Sequence, residues 1–359
     1  MFDFLDNWLA IGGFWVAVPL IIVGCVALIK GADFLVDGAS GLAKKYGVSD
    51  IVIGLTVVAF GTSMPEFVVN MVAVGQGSTE IAITNVLGSN IINTFVILGC
   101  TALIFPISSQ KTTRRFDIPF SILAALLVLL FAVYNSPSWL QIEHLFNMNI
   151  TQPSINDLGS LNLGQGKAGF ISGVGGCILL IFFLIFLWHN FKGIGSAPQT
   201  ESNEGYKPMS AKRALALILG GLVGLVVGGE VIVKSATSIA HSLGVSDAII
   251  GLTVVALGTS LPELATSCMA AFKKNCDIAL GNVIGSNIFN IFFILGTSAC
   301  VKALPGYHGL EIDALMAALG SVLVMLFVYL TKKHEIKRWH GAILLLTYAA
   351  YLVYRIITL

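Results

Sequence analysis

Apolar residues run along this chain in long unbroken stretches, not in the alternation or narrow stripes of a water-soluble fold. Ten stretches are long enough to cross about 30 Å of hydrocarbon as helices. They lie near residues 15–42, 48–75, 80–105, 115–134, 167–188, 212–241, 245–272, 278–303, 311–331 and 339–358. The pattern predicts an all-α, polytopic membrane protein with ten transmembrane helices. Two polar segments interrupt it. Residues 135–166 read as a loop without a Lys or Arg, and residues 190–211 read as a linker between two halves.

Composition narrows the class further. The 359 residues are 56% hydrophobic and 11% charged, against about 25% charged in a soluble domain. The mean hydropathy is +0.89. A net charge of +1 with no basic block gives nucleic acid no electrostatic purchase. The lipid bilayer is the expected surrounding, and no obligate protein partner is evident. An acidic N-terminus that runs into the first long helix predicts no cleavable signal peptide. The six cysteines, scattered through apolar stretches, read as small buried hydrophobes.

The cations set the orientation. With the N-terminus outside, fifteen of the 20 Lys and Arg fall on inner loops, three fall outside, and Lys30 and Lys234 fall within spans. The positive-inside bias predicts both termini outside, in a multi-pass protein of a cell membrane, plasma or bacterial inner. Asn149-Ile150-Thr151 would then be a glycosylation triplet on the outer side.

The chain also matches itself at a shift of 197 residues. GVSDIVIGLTVVAFGTSMPE (47–66) and GVSDAIIGLTVVALGTSLPE (244–263) agree at 16 of 20 positions, and TNVLGSNIINTFVILG (84–99) lies over GNVIGSNIFNIFFILG (281–296). This divides the chain into a five-helix half at 1–189, the linker 190–211, and a second half at 212–359. Their repeats span about 47–99 and 244–296. Five spans is an odd number, so the second half inserts upside down. Lys44 and Lys45 precede the first copy on the inside, and His241-Ser242-Leu243-Gly244 precedes the second without a Lys or Arg. Inverted repeats suit alternating access to a central site.

The repeated polar residues are the candidate site. Glu66 and Glu263 are carboxylates in apolar helices, with no Lys or Arg at comparable depth. Burying each as an ion costs several kcal/mol unless a cation accompanies it. Pro65 and Pro262 lack an N–H, which frees the carbonyls of Gly61 and Gly258 and kinks the helix near Thr62 and Thr259. Each Gly-Thr-Ser-x-Pro-Glu thus offers one carboxylate, backbone oxygens and two hydroxyls in a single turn. These hard oxygen donors suit Ca²⁺ or Na⁺ and are poor for zinc or copper. Asn85, Ser89 and Asn93 share a helix face, as do Asn282, Ser286 and Asn290. Asn85 and Asn282 read as structural; the other four read as lining the site. Gly88 and Gly285 read as small-residue seams, and Gly220, Gly224 and Gly228 as a close-packing stripe. Lys30, Asp33 and Asp37, like Glu230 and Lys234, have helical spacing for mutual pairing and read as interfacial, snorkelling charges.

These motifs resemble the α-repeats of the sodium/calcium exchanger branch of the cation/calcium exchanger superfamily, its short prokaryotic members above all. The resemblance implies ten helices in inverted five-helix repeats around one calcium and several sodium sites. It implies calcium ligation by the carboxylates of Glu66 and Glu263 and the backbone carbonyls of Thr62 and Thr259. It implies sodium sites built from Ser63, Ser89 and the Ala59 carbonyl, and from Ser260, Ser286 and the Ala256 carbonyl, with Asn93 and Asn290 in the middle. Some relatives, potassium-dependent ones included, carry Asp where this chain has Asn290, which weakens the case for potassium. The proton-coupled exchangers usually show Gly-Asn-x-x-Glu, whereas each Glu here follows Thr-Ser-x-Pro.

Charge arithmetic fits such an exchanger. Two ionised glutamates are neutralised by one Ca²⁺ or two Na⁺. A site at −2 is costly to occlude when empty, which enforces exchange. Three sodium per calcium is what the resemblance implies. The expectation is a secondary antiporter that exchanges Na⁺ for Ca²⁺ and extrudes calcium. The alternative is the same architecture coupled to H⁺ or K⁺. Ca²⁺ and Na⁺ are then substrates, and no cofactor and no enzymatic activity are expected. An intramembrane hydrolase lacks a plausible nucleophile, and kinked inverted repeats favour occlusion over an open channel.

Overall fold

The computed structural model describes residues 3–133, 170–192, 209–244, 256–307 and 309–358. The expected loop at 135–166 with its triplet at Asn149, most of the linker, and residues 245–255 of the second repeat lie outside the described residues.

Helix α1 (Asp3–Tyr46) breaks at Gly13, whose φ of +48° a glycine accepts without strain. Helix α2 (Asp50–Thr62) and helix α3 (Met64–Gly75) form one bent unit, turned by 45°. Next come α4 (Thr79–Ile104), the short strand β1 (Ile107–Ser108) and α5 (Ile118–Val133). The first half closes with β2 (Phe170–Ile171) and α6 (Gly173–Lys192). The second half runs through α7 (Ala211–Ser242), α8 (Ala256–Thr259), α9 (Leu261–Phe272) and α10 (Cys276–Val301). It ends with β3 (Leu304–Pro305), α11 (Leu310–Leu330), β4 (Glu335–Ile336) and α12 (Arg338–Thr358).

Seven of the described helices are long and apolar enough to cross a membrane, or eight if α2 and α3 count as one span. The other two stretches expected to cross are described as the sixteen residues of α5 and as the pieces α8 and α9.

Burial sorts the helices into a centre and a rim. The most apolar window of α10 is 94% buried and that of α4 72%, against 17% for α1 and for α12. The core is built around α4 and α10, with α5, α6 and α11 packed on it through Phe95, Phe120, Phe186 and Phe292.

On one side of this core, α1 and α7 lie antiparallel along a glycine seam. A Cβ on Gly31 would stand 2.7 Å from the Leu225 nitrogen, and one on Gly228 would stand 2.7 Å from the Gly24 carbonyl oxygen. Only glycine lets the two backbones approach this closely. The seam uses Gly221, Gly224 and Gly228; Gly220, expected in the stripe, faces open space. Gly221 and Gly228 stand seven residues apart, as do Gly24, Gly31 and Gly38 on α1, and two helical turns return a side chain to nearly the same face. Gly285 packs as expected, 2.7 Å from the Leu55 carbonyl when given a Cβ, whereas Gly88 has room around it.

The helix ends gather on two faces. On the first, β1 pairs with β4, Gln110 donates to Asp277, and Asn275 donates to Ser40 and Asp50. The opposite face is closed by the pairing of β2 with β3 and by Arg355 against Asp313. Lys44, Lys45, Lys273, Lys274, Lys337 and Arg338 all belong to the first face. The cysteines are less buried than expected: Cys25, Cys100, Cys268 and Cys276 are half-buried, and Cys177 and Cys300 are exposed, with their sulfurs 3.7 Å apart.

Candidate cation site

The two bent units meet in the middle of the core. Each breaks one residue before the Met-Pro or Leu-Pro pair, because the proline cannot complete the preceding turn. The break residues, Ser63 (φ −86°, ψ 6°) and Ser260 (φ −88°, ψ 5°), have nearly the same backbone. The proline then opens the next helix, where its missing N–H costs nothing, and Glu66 and Glu263 fall in the first turn.

The halves interlock across these breaks. The Ser63 hydroxyl donates to Glu263 Oε1 at 2.9 Å. The Thr62 hydroxyl donates to Asn282 Oδ1 at 3.1 Å. The two carboxylates lie within electrostatic reach of each other. Since Ser63 spends its hydrogen on Glu263, its oxygen lone pairs stay available to a cation.

The second motif enters from α4 and α10. Both helices widen into π turns, Ile92–Ile97 and Phe289–Leu295, which hold Asn93 and Asn290. A π turn releases backbone bonding and swings its side chains relative to the helix on either side. The turn with Asn93 packs on α9, which carries Glu263, and the turn with Asn290 packs on α3, which carries Glu66. Each carboxylate-bearing helix is therefore packed against the asparagine-bearing π turn of the other half.

Glu66, Glu263, Thr62, Ser63, Ser89, Asn93, Ser260, Ser286 and Asn290 are all buried. Glu66 Oε1 and Oε2, Glu263 Oε2, Ser260 Oγ, Ser286 Oγ, Asn93 Oδ1 and Asn290 Oδ1 have no hydrogen-bond partner. An unsatisfied buried polar group costs about 1–3 kcal/mol, more when charged, so this collection of oxygens makes sense as a donor set for cations. Among the described residues, no three His, Cys, Asp or Glu side chains converge; the donors are two carboxylates with hydroxyls and amides. The Ala59 carbonyl accepts from the Ser63 N–H at 3.0 Å and, more weakly, from the Thr62 hydroxyl at 3.4 Å. Ala256 and Thr259 stand in α8, in the matching turn.

Asn85 and Asn282 act as supports. Asn282 Nδ2 donates to the Glu263 carbonyl at 3.2 Å and to Ser267 Oγ at 2.9 Å. Asn85 Nδ2 donates to the Glu66 carbonyl at 3.4 Å and to Asn70 Oδ1 at 2.7 Å. Positions 70 and 267 are again 197 apart. The sequence reading missed Asn90 and Asn287. Asn90 Oδ1 accepts from Asn290 Nδ2 at 3.0 Å, and Asn90 Nδ2 donates to the Asn287 carbonyl at 3.1 Å. They stand one residue beyond Ser89 and Ser286, off the i, i+4, i+8 face, but their place in both GSN triplets was a usable signal. Asp33 and Asp37 do not pair along their own helix; both take Lys273.

A buried pair of carboxylates at two helix breaks, in a chain of long apolar helices, belongs to a multi-pass membrane carrier of cations, a cation/calcium antiporter. The family model described as sodium/calcium exchanger protein matches residues 16–192 and 213–357, and the chain belongs to that family. It is a family of transporters, not of catalytic enzymes. The chain is 34% identical over 352 residues to the sodium/calcium exchanger MaX1 of Methanosarcina acetivorans, covering 93% of this chain and 97% of that one. It is 36% identical over 342 residues to the putative antiporter CaxA of Alkalimonas amylolytica, covering 94% and 97%. The structure is similar to that of the sodium-calcium exchanger NCX_Mj soaked with 2.5 mM Na⁺ and 10 mM Sr²⁺, with a TM-score of 0.75, 30% identity, and coverage of 95% of this chain and 99% of that one.

Proposed function

We propose that the protein is a secondary-active antiporter that exchanges Na⁺ for Ca²⁺ by alternating access and extrudes calcium from the cell. The observation that carries this is the set of partnerless oxygens around Glu66 and Glu263. Calcium binds the two carboxylates with the Thr62 and Thr259 carbonyls. Sodium binds on either side, at Ser63, Ser89 and the Ala59 carbonyl and at Ser260, Ser286 and the Ala256 carbonyl. Asn93 and Asn290 line the middle. Because the ions share ligands, they displace one another. Asn290 is neutral and leaves two carboxylates in the set, which favours Na⁺ over H⁺ or K⁺ as counter-ion.

In this reading ten spans form two inverted halves, 1–189 and 212–359, joined by a cytoplasmic linker at 190–211. The cation-rich face is cytoplasmic and both termini face outward. The test is uptake of radioactive calcium into proteoliposomes with sodium, potassium and proton gradients imposed one at a time. Uptake driven by the sodium gradient alone is expected. Uptake that follows only the proton or potassium gradient would replace Na⁺ with that ion.

A further inference from the structure

We propose that Lys273, with Asp33 and Asp37, sets the sidedness of the exchanger: the three residues form an ionic clamp that holds the cation-rich side of the ion site shut and biases the protein toward opening on the other side. The proposal rests on the alternating-access reading above.

Lys273 caps α9 ten residues after Glu263. Its ammonium lies 2.6 Å from Asp33 Oδ1 and 2.6 Å from Asp37 Oδ1, and it donates to the Asp33 carbonyl at 3.2 Å. Two hydrogen bonds, to the Asp33 carbonyl and Asp37 Oδ1, and an ion pair with the Asp33 carboxylate thus tie it to α1, the peripheral helix. Asn275, two residues on, adds the bonds to Ser40 of α1 and to Asp50. The helix that carries one of the two carboxylates is in this way fastened to α1, which lies along it and covers it on this side. The Lys273 side chain is 21% exposed and those of Asp33 and Asp37 are 31% and 39%, so the clamp is partly screened and reversible.

The pseudo-twofold gives the comparison. At a shift of 197, Asp33 and Asp37 become Glu230 and Lys234, Ser40 becomes Thr237, Lys273 becomes Gln76 and Asn275 becomes Ser78. The acidic pair on the peripheral helix is replaced by one acid and one base, and the lysine after the carboxylate helix by a neutral amide. Lys302, at the end of α10, reaches the Gly77 turn, but no residue of α3 or of that turn is cationic. The packing differs in the same sense. α1 lies along α9, whereas α3 makes no comparable contact with α7, although both are described in full. One side is closed and clamped. When the other side closes, α7 meets a helix end that offers no lysine.

A shift of the two-state equilibrium changes the apparent affinity on the two sides in opposite directions, because each side sees only the fraction of molecules open to it. The full-length protein, reconstituted in one orientation, is assayed for half-saturating Ca²⁺ on each side. For Lys273→Gln, and separately for the Asp33→Asn, Asp37→Asn pair, the ratio of the cation-rich-side value to the opposite-side value is expected to fall about fivefold, the scale of a partly exposed ion pair. Restoring opposite charge with Lys273→Glu, Asp33→Asn and Asp37→Lys together is expected to recover most of the ratio. A ratio that stays put in both neutralised proteins, or two values that weaken together, would overturn the clamp while leaving exchange intact. A wild-type protein that exchanges no cations would overturn the exchange reading and the clamp with it.

Discussion

The core around α4 and α10 and the seam between α1 and α7 are both close-packed, but by different chemistry. In the core, asparagines and hydroxyls bond across the halves: Asn90 with Asn287 and Asn290, Asn287 with Thr94, Thr62 with Asn282 and Ser63 with Glu263. Each bond has a direction and a length, so a shift of one ångström breaks several at once. Along the seam, bare backbone meets bare backbone at Gly24, Gly31, Gly221 and Gly228. Dispersion contacts between smooth surfaces have no fixed register. The core is held by directional bonds between the halves; the seam is held by close backbone contact alone.

The sharpest break of this contrast is at its centre. Glu66→Gln or Glu263→Gln is expected to lower sodium-driven calcium flux several hundredfold, since a unit charge pair at about 4 Å and an effective dielectric near 20 is worth about 4 kcal/mol. Radioactive calcium uptake measures it, and a variant that keeps a tenth of wild-type flux would show that the carboxylates do not share the ion.

A leucine at Gly31 tests the seam. It is expected to slow maximum flux about tenfold or more and to cost about 1–3 kcal/mol through overpacking, while calcium still binds by calorimetry. Loss of binding with the fold intact would mean that the seam belongs to the site.

Asn282→Ala removes three bonds that aim Glu263 and Thr62. A loss of about 1–3 kcal/mol in unfolding free energy is expected, with calcium affinity about tenfold weaker. The matching Asn85→Ala is expected to cost less, because the Asn85 bond to the Glu66 carbonyl is the longer of the two at 3.4 Å. Equal losses would erase that difference between the halves.

The smallest effect belongs to Gly220→Ala. Nothing stands within 4 Å of the added methyl, and alanine is the better helix former by about 1 kcal/mol. The thermal midpoint is expected to stay or rise slightly, and a large drop would put residue 220 back in the seam.

Much of this was legible in the chain. Glu66 and Glu263 stood out because a carboxylate in hydrocarbon demands a partner, and Pro65 and Pro262 marked the breaks because a proline lacks its N–H wherever it sits. The helix-face rule grouped Ser89 with Asn93 and Ser286 with Asn290, and all four are buried. It failed for Asn90 and Asn287, because the π turns at Ile92–Ile97 and Phe289–Leu295 begin just beyond them and the partners come from the other half. It failed again for Gly220, since which face of α7 turns toward α1 is fixed by how the two helices cross.

What the sequence determined by itself was the presence of long apolar segments, the duplication, and two acids lying within those segments. These follow from local chemistry: the length of hydrocarbon to be crossed, the bonding capacity of each residue, and the cost of a bare charge. Only the tertiary structure decided that Ser63 would reach Glu263, that Lys273 would span Asp33 and Asp37, and that Gly221 rather than Gly220 would meet Gly31. Those pairings join residues from 190 to 240 positions apart. Their geometry comes from the packing of whole helices, which no single window of the chain contains.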